Sequence, residues 1–393
     1  MSLKSDRLNI VLVGANGKVA APAHLNALAN VPGAILYGVC DVDTENVDHL
    51  ARLTGAYPFT SLDDVLADPN VDGIDLVTPP FIHAEQTVAA AHAGKHVYCE
   101  KPMAHSLSQA SAMIQAHRES GTTLMVGESY VFHHPNMAAR AVIDSGDIGD
   151  VLHIRETKGP WLMKPEESKR LSGTNHELNA PWRVDPKMSG GGKYPWIMDH
   201  APHFFATARY FANNATVDLI TAHAQRRQIS DEKISGIGAV NGQAITSVAW
   251  SFNNGIDSIW SQIESSAASL VDVGFMTIIH GTKGSLQVYG EGGGAAPGRK
   301  QVPAVILNCN GRSRVIDAGN LDDRAWQSNN NYYDASHQTA LNHWIDSIIQ
   351  AKPVRYPGEE GRIDLASVLA TIKSAEERRS ISPIEIDENW TAY

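Results

Sequence analysis

Three side chains carry most of the chemistry this chain offers. Lys101 stands in a Glu-Lys-Pro sequence, and Asp199 and His203 lie four residues apart in an aromatic-rich stretch. An ammonium group hands over protons, a carboxylate orients hydroxyls, and an imidazole takes up and releases protons near neutrality. Residues four apart share a face of a helix, so Asp199 and His203 can address one small molecule together. His200 lies between them and opens a metal alternative built from Asp199, His200 and His203. Adjacent helical positions diverge by about 100°. Neither an HExxH motif nor a cysteine ligand supports zinc, so no metal is expected.

A second constellation is VLVGANGKVA, which sets Gly14, Asn16, Gly17, Lys18 and Val19 between an apolar run and an Ala/Leu-rich one. A strand, a glycine turn and a helix together present backbone N–H groups and a helix N-terminus to a pyrophosphate. The fingerprint is imperfect, because strict GxGxxG spacing from Gly14 requires glycine where Asn16 and Val19 stand. Asn tolerates the left-handed conformation, and Gly17 offers a close backbone approach. A purely structural turn fits the same residues. Asp41 ends the next apolar run, where a carboxylate accepts hydrogen bonds from adenosine ribose hydroxyls. Capping the following helix is its alternative role. Asp43 and Glu45 follow, and no Lys or Arg occurs between Lys18 and Arg52. A 2′-phosphate there meets carboxylates without a cationic clamp, so NAD is favoured over NADP.

Positioning these groups requires a particular order of elements. Short β-branched runs at 8–13, 34–40, 57–60, 73–78, 96–100 and 122–127 alternate with helical patterns up to residue 128. That alternation predicts βαβ units and a doubly wound parallel sheet. Lys101 then falls at the carboxyl edge of the sheet, where such folds bind ligands. Beyond a helix near 136–145, a strand at 151–158 and a Pro/Trp/Gly-bearing loop region to Gly192 follow. A helical stretch is expected over Phe204–Ala212, then several strand-like runs, then helices near 334–351 and 360–379. The second half therefore reads as α+β, with a large, mostly antiparallel open sheet. The expected division is 1–128 for the dinucleotide and 129–393 for substrate binding and oligomerisation. EGGGAAPG (291–298) reads as a flexible surface loop.

Composition narrows the function classes. The 393 residues carry 32 Lys and Arg against 43 Asp and Glu, a formal charge of −11. So acidic a surface opposes sequence-independent nucleic-acid binding and docking on anionic membranes. Residues 1–128 alone hold 7 basic and 14 acidic side chains. A pyrophosphate bound there must rely on backbone amides and a helix N-terminus. Three scattered cysteines (Cys40, Cys99, Cys309) fit a reducing compartment. No apolar run reaches the length of a membrane span, and a cytoplasmic protein is expected.

Taken together, the stretches VGANGKVAAPAHLNAL, the Asp41 strand end, DLVTPPFIHAEQTVAAAHAGKHVYCEKPMA and WRVDPKMSGGG…DHAPH resemble the Gfo/Idh/MocA family of sugar and cyclitol oxidoreductases. HGTKGSLQVYG and EEGRIDLASVLATIKSAEE look like its later segments, so the resemblance covers nearly the whole chain. It implies acid/base and substrate-binding roles for Lys101, Asp199 and His203. It places Thr78, Pro79, His83 and Glu100 beside the cofactor, and Trp182-Arg183 against its nicotinamide half. Tyr130, Trp161 and His200 complete the expected substrate set, in a region whose tryptophans suit sugar C–H faces. The implied reaction is hydride transfer between NAD and a secondary alcohol or keto carbon of a sugar, polyol or sugar acid, in a homodimer or homotetramer. An NAD-dependent glycoside-cleaving enzyme and a non-catalytic ligand-sensing regulator are the rivals on the same fold. Features that depart from the family pattern are the degraded glycine fingerprint, the six residues separating Gly192 from Asp199, and His200-Ala201-Pro202 between Asp199 and His203 in place of the commoner small, Gly-containing insert. These point to a remodelled pocket.

Overall fold

The computed structural model describes residues 7–17, 20–158, 181–183, 185–227, 243–264, 275–289, 304–319 and 332–393. Lys18, Val19, Trp161 and the 291–298 segment lie outside the described residues. The first sheet comprises β1 (Leu8–Val13), β2 (Ala34–Cys40), β3 (Tyr57–Phe59), β4 (Gly73–Leu76), β5 (His96–Glu100) and β6 (Leu124–Gly127). Its order is β3-β2-β1-β4-β5-β6, parallel throughout. The crossovers are α1 (Ala21–Asn30), α2 (Thr44–Thr54), α3 (Leu62–Ala67), α4 (His83–His92) and α5 (Leu107–Ser120). Helices on both faces explain why Ile10, Val11, Leu12, Ile74 and Val97 are all buried along consecutive strand positions. Strand order reverses between β1 and β4, which makes their carboxyl ends the crevice of the sheet.

The second sheet runs β14-β13-β12-β11-β7-β10-β9-β8. Its strands are β7 (Val151–Lys158), β8 (Val217–Arg227), β9 (Gln243–Phe252), β10 (Asp257–Glu264), β11 (Phe275–Gly281), β12 (Gly284–Tyr289), β13 (Val305–Cys309) and β14 (Arg312–Ile316). Every pairing is antiparallel except β7 with β10. Along β9, Thr246, Val248 and Trp250 point inward while Ser247 and Ala249 are exposed, the alternation of a sheet buried on one face. The remaining helices are α6 (His134–Asp144), α7 (Pro195–Phe211), α8 (Tyr332–Ile349) and α9 (Gly358–Glu377). Among the described residues no helix is long and apolar enough to cross a membrane.

Helix α7 lies on the inner face, where Phe204 stacks on Trp260 at 4.5 Å and Phe205 packs on Trp250 at 4.8 Å. It begins at Pro195, earlier than the expected Phe204, because proline suits a first helical turn whose N–H groups lack intrahelical partners. The glycines before it allow close approaches. Gly190 has φ +78°, and a Cβ there would enter the His105 ring; one on Gly192 would enter the backbone of Ala392. Helix α8 returns to the first domain, setting Trp344 edge-on to Tyr98 at 5.8 Å. Its Ile345 Cγ2 would stand 2.8 Å from a Cβ on Gly33.

Candidate active site

Strand β5 delivers Glu100 and Lys101 to the carboxyl edge, where their side chains part. Glu100 turns into the core: Oε2 accepts the Lys101 N–H at 3.1 Å and Oε1 faces His24 Nε2 at 3.2 Å. His24, on α1, places Nδ1 2.9 Å from Asp75 on β4. Burial opposes a charged imidazole, yet Asp75 and Glu100 overcome it and raise the His24 pKa to about 10. Burial likewise pushes Glu100 up, but the His24 hydrogen bond and charge bring it down to about 2. This ion cluster anchors the backbone from which Lys101 projects. Lys101 Nζ donates to the main-chain oxygen of Asp199 at 2.8 Å and to its Oδ1 at 3.0 Å.

Asp199 is a fixed anion. Burial alone would raise its pKa, but Arg183, Lys101, His200 and Lys158 together hold it well below the usual carboxylate range. Arg183 lies 3.7 Å and His200 Nε2 3.5 Å from its Oδ2. The Gln262 side-chain amide nitrogen meets His200 Nδ1 at 2.9 Å, which assigns the ring proton to Nε2, facing Asp199.

His203 takes a different partner. Its Nδ1 meets Glu128 Oε1 at 2.7 Å, and the Tyr130 ring stacks on it at 4.2 Å. Glu128 was not among the residues the sequence pointed to. It directly follows β6, at the same edge from which Lys101 emerges, and that position is the only signal for it. Burial pushes its carboxyl up to about 8. Burial, and next the Lys101 charge, hold His203 well below the ordinary imidazole value. Both groups therefore favour their neutral forms, with Nδ1 donating to Glu128 and the Nε2 lone pair left as the acceptor.

The residues expected beside a cofactor, among those described, cluster at the crevice. Gly14 has φ +86°, and a Cβ on it would stand 2.8 Å from the Thr78 nitrogen, so bare backbone lets the ends of β1 and β4 meet. Asp41 accepts from the N–H groups of Asn16 at 3.0 Å and Asp43 at 3.2 Å. Asp43, not Asp41, caps α2, accepting from the Asn46 N–H. No side chain caps α1, which leaves first-turn N–H groups for an anion. His83 places Nε2 2.7 Å from the Thr78 carbonyl and Nδ1 3.0 Å from that of Pro102, stapling the Thr78–Pro79 turn to the Lys101 turn. Arg183 lies over the Trp182 ring at 5.3 Å. An uncapped helix start, a bare glycine turn and an adjacent carboxylate fit a dinucleotide with ribose hydroxyls.

Comparison with known proteins agrees with this geometry. The family model described as "Oxidoreductase family, NAD-binding Rossmann fold" matches residues 8–128, and "Oxidoreductase family, C-terminal alpha/beta domain" matches 140–386. A 2,7-anhydro-N-acetylneuraminate hydratase of Escherichia coli is 34% identical over 158 residues, which spans 40% of this chain and only 39% of that relative. A myo-inositol 2-dehydrogenase of Thermotoga maritima is 22% identical over 97% of this chain and 99% of its own length. Among solved structures, an oxidoreductase from Agrobacterium radiobacter in complex with NAD+, L-tartaric acid and magnesium superposes with a TM-score of 0.77 at 22% identity, covering 96% of this chain and 98% of that one. With both family domains matched over most of its length, the chain belongs to the Gfo/Idh/MocA family of NAD-binding oxidoreductases.

Proposed function

We propose that the protein is an NAD-dependent dehydrogenase acting on a secondary alcohol or keto carbon of a sugar, polyol or sugar acid. The observation that carries this reading is the contact of Lys101 Nζ with Asp199, one helical turn from the neutral His203, above the crevice of the first sheet. The nicotinamide, when bound, supplies the hydride acceptor. Asp199 accepts a hydrogen bond from a substrate hydroxyl, Lys101 donates to the reacting oxygen, and His203 takes the hydroxyl proton. Tyr130 keeps the imidazole plane fixed while it does so. Asp41, with Asp43 and Glu45 beyond it, supports NAD over NADP. Residues 1–128 are assigned to the cofactor and 129–393 to the substrate and to a homo-oligomer, in the cytoplasm.

A panel of polyols, aldoses and sugar acids with NAD+ or NADP+, followed at the nicotinamide absorbance, tests the reading. Lys101→Ala should lower kcat by about 10²–10⁴-fold, the range for a lost general acid or base, while NADH affinity changes less than about threefold. A Lys101→Ala enzyme turning over at the wild-type rate would falsify the assignment. Hydration involves no net change of oxidation state, so the hydratase relative favours a second reading, in which no net NADH forms. Product release without stoichiometric NADH would establish that reading instead.

A further inference from the structure

We propose that Glu128, a small cavity beside it and Asp364 beyond form the route by which His203 exchanges its proton during turnover. This rests on the dehydrogenase reading above. Glu128 is 1% exposed, its Oε1 is engaged by His203 and by the Tyr130 N–H, and its Oε2 is buried without a hydrogen-bond partner. An ionised carboxylate oxygen left bare in the interior is costly, whereas a protonated one can hand its hydrogen to an acceptor in a neighbouring space.

That space is built. A cavity with room for about one water molecule is lined by Lys101, Glu128, Tyr356 and Asp364, with Pro202 and Gly361 among its walls. Asp364, on α9, accepts a hydrogen bond from the Tyr356 hydroxyl and another from Arg209 at 3.1 Å. Arg209 also holds Glu360 at 2.7 Å, and Glu360 is 27% exposed. Buried polar groups thus run from the active site to α9, where Arg209, a guanidinium that stays charged, holds Asp364 in place and does not itself relay a proton. Burial raises Asp364 to about 6 although Arg209 opposes it, so near neutrality Asp364 is an acceptor and Glu128 a donor.

The protons balance as follows in the direction of alcohol oxidation. The substrate O–H bond breaks and its proton joins His203 Nε2. The Nδ1 proton passes to Glu128 Oε1, and the proton on Glu128 Oε2 leaves through the cavity to Asp364. No electrons travel this way, because a bound nicotinamide would take the hydride separately. The Lys101 charge lowers the Glu128 pKa and the Glu100 charge raises it, and neither group carries the proton.

Glu128→Gln keeps the shape and the contact with His203 but cannot relay. It should lower kcat at least about tenfold, with KM and NADH affinity within about twofold, and remove the Glu128-dependent limb from the kcat–pH profile. Glu128→Asp should recover part of the loss, and Asp364→Asn should slow kcat without adding its full effect to Glu128→Gln. A Glu128→Gln enzyme with wild-type kcat and pH profile overturns the proposal, as does a Glu128→Asp enzyme no better than Glu128→Gln. Infrared spectroscopy of the unreacted protein gives a readout independent of turnover. Buried Glu156 also favours its protonated form, so the readout is the difference between the two proteins: a protonated-carboxyl component at neutral pH that is lost in Glu128→Gln is expected, and a difference spectrum without one overturns the proposal. Inactivity of the wild type on the whole panel instead overturns the dehydrogenase reading.

Discussion

At the scale of single residues, two aspartates two positions apart divide the work at the end of β2. Asp43 caps α2, so Asp41 is released from that duty and is oriented by the Asn16 and Asp43 amides. A charged hydrogen bond to a ribose is worth about 1.5–3 kcal/mol, one to two powers of ten in affinity. Asp41→Ala should therefore weaken NADH binding at least about tenfold in a fluorescence titration and narrow the gap between NAD+ and NADP+. Unchanged affinity and selectivity would sink the assignment. Lys101, Asp199, His203 and Asp41 stand out as candidates in the sequence because each sits in a local pattern: after a strand, or four apart on a helix. Glu128 belongs to no such pattern. Its role exists only because α7 brings His203 against the end of β6, a contact between residues far apart in sequence. The four-residue spacing sets Asp199 and His203 on one face of a helix, and the hydrogen-bond partner of His203 is Glu128. Glu100, expected beside the cofactor, serves from below through His24 and the Lys101 amide.

At the scale of elements, the position of α7 depends on the three glycines before it. Gly190 is left-handed, which costs a non-glycine residue roughly 1–2 kcal/mol, and His105 occupies the space a Cβ needs. Gly190→Ala should destabilise the protein by about 2 kcal/mol or more in denaturant unfolding and lower kcat/KM by shifting Asp199 and His203 together. Wild-type stability and activity in that variant would show that α7 is positioned otherwise. The strands of the first sheet were legible because burial on both faces makes them continuous apolar runs. The order of the second sheet was not. Its first strand, β7, lies near the middle and pairs in parallel with β10, a choice made by packing under α7 rather than by any segment's own pattern.

At the scale of the whole molecule, buried ionisable groups set a pH window for stability. Burial depresses His105 and His117 to about 4, and His133 and His337 to about 3, below the unfolded value near 6.5. Their stabilisation is complete above pH 6.5 and is lost as pH falls toward those values. His24 and Glu128 run the other way, raised to about 10 and about 8. Their contributions fade as pH climbs, from about 6.5 to 10 for His24 and from about 4.5 to 8 for Glu128. Tm measured from pH 4 to 10 should peak near pH 6.5 and fall on both sides, with part of the alkaline fall missing in Glu128→Gln. A Tm still rising at pH 9 would contradict these assignments. Chain order adds a constraint of another kind. Tyr98 and Gly33 are made early in synthesis, yet Trp344 and Ile345 of α8, which pack against them, emerge from the ribosome more than two hundred residues later. The cofactor domain therefore cannot close that part of its core as it is translated. Its last packing step is a long-range one, delayed until the second sheet has already left the exit tunnel.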